Sequence, residues 1–151
     1  MRCMPKFAAV AAVFVAVAAP VPQAAEHAIA KKTLVYDYSP ARVPAGFHYT
    51  NWTYAASPPL LRIFFTDAKR RREIIFATAA QPARCNAGST RTFRVSGVKV
   101  FYTHTPVTQQ AWRCVPHRGV SVRLIAATRQ PPSRLRPSLL VTTAAAARLI
   151  R

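Results

Sequence analysis

From Gly46 onwards the chain repeats one pattern: short runs rich in β-branched and aromatic residues, cut by glycine, proline or clustered charge. That pattern constrains the fold most, because such runs read as strands and their punctuation as turns. Along Leu60–Thr66, Leu61, Ile63 and Phe65 share one face, with Arg62, Phe64 and Thr66 on the other. Glu73–Ala79 is a second β-rich run, so the pair predicts a hairpin with the charged segment Asp67–Arg72 at its tip. Thr90–Val95 and Val98–Thr103 flank Ser96-Gly97, a two-residue turn in which glycine supplies positive φ. His104–Gln110 reads as a loop, Ala111–Val115 as a strand, and Pro116–Gly119 as a turn into Val120–Thr128. There Val120, Val122 and Leu124 face one way, Ser121 and Arg123 the other. Phe47–Tyr54 leads the series; in a regular strand Trp52 and Tyr54 share a face and Tyr49 points away.

The expected architecture is mainly β, or α+β: an antiparallel meander of about six strands, one face oily and one rich in arginine. Such a sheet needs a cover on its oily face. The stretch after "RQPPSRLRP" supplies one. Ser138 suits the N-cap of a helix over Leu139–Ile150, and Arg148 and Arg151 suit the negative end of its dipole. A strand over Ser138–Thr143 is the competing reading.

Residues 1–30 have the pattern of an export signal. Arg2 and Lys6 flank the start of an uncharged stretch, Phe7–Ala19, and Ala-x-Ala sites lie at Ala16–Ala18 and Ala28–Ala30. The stretch is shorter than the roughly 20 apolar residues of a membrane span. An uncleaved N-terminal anchor is the alternative. Residues 31–45 form a lead-in segment, with a short strand within Thr33–Tyr38, and residues 46–151 a single β-rich domain. The expected location is outside the inner membrane, periplasmic or extracellular.

Beyond residue 30, 20 Lys or Arg stand against Asp37, Asp67 and Glu73, a net of about +17. Part of that excess follows from a chain rich in Arg and Ala generally. Such a surface still attracts polyanions through its long-range field. Two cysteines remain after signal removal, and an even pair in an exported chain predicts one disulfide, Cys85–Cys114. Metal binding competes, because Cys114 and His117 have C-x-x-H spacing with His104 near in sequence. Zinc sites use two tight ligand pairs, however, and Cys85 lacks one.

The catalytic inventory is thin. The three carboxylates beyond residue 30 give poor support to paired-carboxylate hydrolysis, and no G-x-S-x-G, H-E-x-x-H or phosphate loop is present. The best enzyme case is a small basic secreted ribonuclease or toxin-like enzyme using His48, His104 or His117 with Glu73. For nucleic-acid binding, basic residues must interleave with stacking aromatics on one exposed face. Trp52 and Trp112 read more simply as anchors of the sheet.

The stretches "VSGVKVFYT", "QQAWRC" and "GVSVRLIAA", with the Leu/Ala-rich close, resemble a domain of unknown function in bacterial exported proteins. That domain is associated with anti-sigma factors and outer-membrane-lipoprotein carriers. The resemblance covers Gly97 to Ala147 and rests on Gly97, Trp112 and strand spacing. It implies an envelope-side sheet packed by a helix, with a ligand- or peptide-binding face. The Cys85/Cys114 pair and the arginine content depart from that pattern.

The expectation is therefore an exported, non-enzymatic cell-envelope protein binding a peptide, a partner protein or an anionic surface. Alternatives are the ribonuclease or a cationic envelope-binding protein. Candidate anionic-surface contacts are Lys69, Arg70, Arg71 and Arg72; no catalytic residue, metal or cofactor is assigned, and specific nucleic acid is not an expected partner.

Overall fold

The computed structural model describes residues 37–69, 71–80, 84–129 and 135–150. The expected signal segment, most of the Thr33–Tyr38 run, Arg70 and Arg151 lie outside the described residues. In chain order the elements are β1 (Tyr38–Pro40), β2 (Phe47–Ala56), β3 (Pro59–Asp67), β4 (Glu73–Ala80) and β5 (Arg91–Val95). Next come β6 (Val98–His104), β7 (Thr108–His117), β8 (Val120–Arg129), α1 (Pro137–Ala145) and β9 (Ala147–Leu149).

The sheet is antiparallel, as the alternation predicts, and holds seven strands in the order β2-β3-β4-β8-β7-β6-β5. Instead of one meander there are two, β2–β4 and β5–β8, joined where β4 lies beside β8 in the register Ile75↔Ala127. Both tight hairpins have positive φ at both turn residues, Ser96 and Gly97 (48° and 80°) and Arg118 and Gly119 (46° and 82°). Those angles match the right-handed twist of the flanking strands. Strand β7 begins at Thr108, so Gln109 and Gln110 belong to the sheet and not to the expected loop.

One face forms the core. Leu61, Ile63 and Phe65 of β3, Phe76 of β4 and Val122 and Leu124 of β8 are fully buried, packed with Leu140, Val141 and Ala144 of α1. Removing one large member, as in Phe76→Ala, costs about 3–5 kcal/mol at such sites. Val43 joins the same core, so the end of the lead-in segment is part of the fold.

The helix is shorter than expected and ends at Ala145, not Ile150. Arg136 occupies the N-cap position with no side-chain cap, so Ser138 is not the cap. Arg113 reaches up from β7 and donates to the carbonyls of Ala144 (3.0 Å) and Ala147 (2.8 Å), satisfying the end of the helix. Beyond it, Ala147–Leu149 leaves the helix to pair with β1 as a separate two-stranded ribbon. Arg148 therefore sits in a strand and not on a helix terminus.

Candidate binding face

The face opposite α1 is built from the alternate residues of the same strands. One row across the register runs Asn51, Phe64, Ile75, Ala127 and Gln110. The next runs Thr53, Arg62, Ala77, Ile125, Trp112 and Phe101. Phe64, Ile75 and Ile125 are half-buried. Beside them on this face stand the exposed Arg62 and Arg129 and the half-buried Arg123, with the exposed Lys99 and Arg94 beyond β7 on β6 and β5; Glu73 is its acid among the described residues. Phe64 carries the sequence signal for this arrangement, a large aromatic on the polar side of its strand.

At the β7 end the face is roofed. Cys85 and Cys114 are joined, with Cα atoms 5.9 Å apart, which ties the Arg84–Thr90 loop to β7. The Trp112 indole N–H donates to the Cys85 carbonyl. Trp112 and Phe101 are consequently only 2% and 8% exposed, so neither offers a platform for stacking bases. Arg123 stacks over Trp112 with its guanidinium carbon 5.2 Å from the ring centre. Its Nε and Nη2 are buried with no hydrogen-bond partner among the described residues, and burial pulls its pKa below the ordinary value.

The basic tip is partly consumed by its own turn. Asp67 Oδ1 accepts from the backbone N–H groups of Arg71 (2.8 Å) and Arg72 (3.3 Å). Asp67 Oδ2 accepts from Arg72 Nε at 2.9 Å, and Arg72 also lies 5.5 Å over the Phe47 ring. The bond from Arg72 is the chief reason the Asp67 carboxyl is held below its ordinary pKa. Lys69 and Arg71 stay exposed. Arg72 meets Arg136 and Ser138 across an open groove of about 540 Å³ between the tip and the start of α1.

The three candidate histidines of the enzyme reading do not meet. His117 is buried beside Tyr38 (Nδ1 to Oη, 3.3 Å) and Asp37 (Nε2 to Oδ1, 3.3 Å), securing β1 to the end of β7. His104 stacks on Tyr102 at the end of β6. His48 contacts Thr66 Oγ1 at 3.3 Å, and Thr66 is in turn the cross-strand partner of Glu73. His117 and Cys114 point to opposite faces of β7, and Cys114 is spent on the disulfide, so the C-x-x-H spacing gathers no ligands. No cluster of three metal-ligating side chains occurs among the described residues.

Tyr49 corrects a sequence expectation. The register shifts between Tyr49 and Asn51, and the extra residue, Thr50, rotates Tyr49 onto the face of Trp52 and Tyr54. All three are half-buried against the core, and burial raises the Tyr49 pKa.

No protein-family model, curated protein or solved structure matches the chain.

Proposed function

We propose that the chain is an exported cell-envelope protein that acts by binding, and that the face opposite α1 takes an anionic, partly apolar envelope surface. The carrying observation is the apolar rows through Phe64, Ile75 and Ile125 with Arg62 and Arg129 exposed beside them, and Arg94 and Lys99 farther along the same face beyond β7. Long basic side chains can lie along apolar surface while their charged heads reach an anionic layer. A formal net charge of +18 adds long-range attraction to the same partner. Export rests on the N-terminal pattern, and the Cys85–Cys114 bridge suits an oxidising compartment.

The reading is tested by co-sedimentation with vesicles of anionic phospholipid. Binding falls steeply as the Debye length shrinks from about 30 Å at 0.01 M salt to about 10 Å at 0.1 M. Equal binding to neutral vesicles, or none to either, overturns it. A second reading, a small basic nuclease, draws on His48 and Glu73, which flank Thr66 in one row about 10 Å apart, two strand spacings. RNA breakdown lost in His48→Ala would establish it, and no breakdown by the wild type removes it.

A further inference from the structure

Among the described residues the sheet ends in two edge strands, and they are built differently. Edge strand β5 is five residues long and carries the exposed Arg91 and Arg94, the charge that discourages another strand from pairing. Edge strand β2 is ten residues long and holds no Lys, Arg, Asp, Glu or Pro, in a chain with 22 Lys and Arg. Its bulge lies near the start, leaving Asn51–Ala56 in unbroken register with Phe64–Pro59. The Trp52 N–H donates to the side-chain oxygen of Asn51 at 2.8 Å, so a main-chain donor of this edge is held by a side chain that a partner carbonyl can displace.

From this we infer that β2 is a docking edge for an extended acidic peptide segment, which adds as an eighth strand of the sheet. Main-chain hydrogen bonds would supply affinity, and alternate side chains selectivity. On the core side the added strand meets Tyr49, Trp52 and Tyr54, half-buried rings that favour apolar partners. On the other side it runs past Thr53, next to which Arg62 stands exposed on β3. Successive side chains alternate between faces, so the matching segment alternates apolar and acidic residues. Charge selects this occupant over a second copy of the chain. Two copies paired through β2 would bring their Arg62 side chains towards one seam, each copy carrying +18.

The test uses a blocked synthetic peptide of alternating valine and glutamate, about six to eight residues long. Hydrogen exchange and Trp52 fluorescence are followed without vesicles present. The peptide slows exchange of β2 amides and shifts Trp52 emission, and a valine–lysine peptide does neither. In Arg62→Glu, whose fold is checked by near-UV circular dichroism, affinity for the acidic peptide drops about tenfold or more and the lysine peptide gains. Protection at β5 instead of β2, equal binding of both peptides, or no binding overturns the proposal. So does a concentration-dependent dimer of the wild type with β2 amides already protected, because the edge would then belong to a second copy.

Discussion

The side chain of Gln109 holds the backbone of Leu135 in a two-way clasp. Its Nε2 donates to the Leu135 carbonyl and its Oε1 accepts from the Leu135 N–H, both at 2.9 Å. The same amide donates to Tyr102 Oη at 2.9 Å. Gln109 is fully buried and Leu135 precedes α1, so this contact fixes where the helix docks on the sheet. In Gln109→Ala the Leu135 groups and the Tyr102 hydroxyl stay buried without partners, at about 1–3 kcal/mol for each orphaned group. Urea denaturation should show a loss of at least about 2 kcal/mol. A loss under about 0.5 kcal/mol would mean the clasp does not hold the helix.

Arg123 is the opposite case, a half-buried side chain whose Nε and Nη2 are buried with no hydrogen-bond partner among the described residues. Its contact with Trp112 is worth about 0.5–2 kcal/mol, against a larger penalty for taking a charge out of water. Arg123→Met should therefore unfold at the same urea concentration as the wild type or a higher one. A clear fall in the midpoint would show that the guanidinium has a stabilising partner in solution.

Asp67 makes the hairpin tip sensitive to acid. Its folded pKa is depressed below the ordinary 3.8, first by the bond from Arg72. The unfolded chain thus binds the proton more readily, so this stabilisation is complete above the ordinary value and is lost as pH falls through the folded one. The stability gap between wild type and Asp67→Asn should be widest at neutral pH and close below about pH 4. A gap that is constant across that range would rule out the ionised carboxylate as its source.

The Cys85–Cys114 bridge closes 29 residues of chain. The loop-closure estimate gives it about 3–4 kcal/mol, a large share for a domain of this size. The doubly substituted Cys85→Ser/Cys114→Ser protein should lose stability of that order and expose Trp112 to collisional quenchers. Unchanged quenching would show that the Arg84–Thr90 loop stays over Trp112 without the bond.

Much of this fold is legible in the sequence because alternation is a local signal. Val98, Val100 and Tyr102, or Leu61, Ile63 and Phe65, declare their inward face without reference to the rest of the chain. Gly97 and Gly119 likewise mark their turns through backbone freedom alone. The illegible features depend on distant partners. The β4–β8 pairing joins Ile75 to Ala127, and no residue in either strand specifies its neighbour. Gln109 resembles a loop residue until Leu135 and Tyr102 surround it. The helix stops at Ala145, where Arg113 takes the Ala144 carbonyl and the chain beyond turns to pair Ala147–Leu149 with β1. The bulge at Thr50 is visible only in the register, yet it decides that Tyr49 joins Trp52 and Tyr54. For the candidate face, the arginines are plain in composition, but strand order determines which of them share a surface.

The most direct test of the proposed binding face separates the placement of charge from its total. Arg62→Glu/Arg129→Glu changes two exposed cations on the face opposite α1, and Arg42→Glu/Arg136→Glu makes the same change away from it. Both double variants carry the same net charge. Affinity for anionic phospholipid vesicles at about 0.1 M salt should fall at least about tenfold further in the first than in the second, because at a Debye length near 10 Å only contacts close to the surface count. Equal losses in the two would contradict the account and reduce the binding to bulk charge.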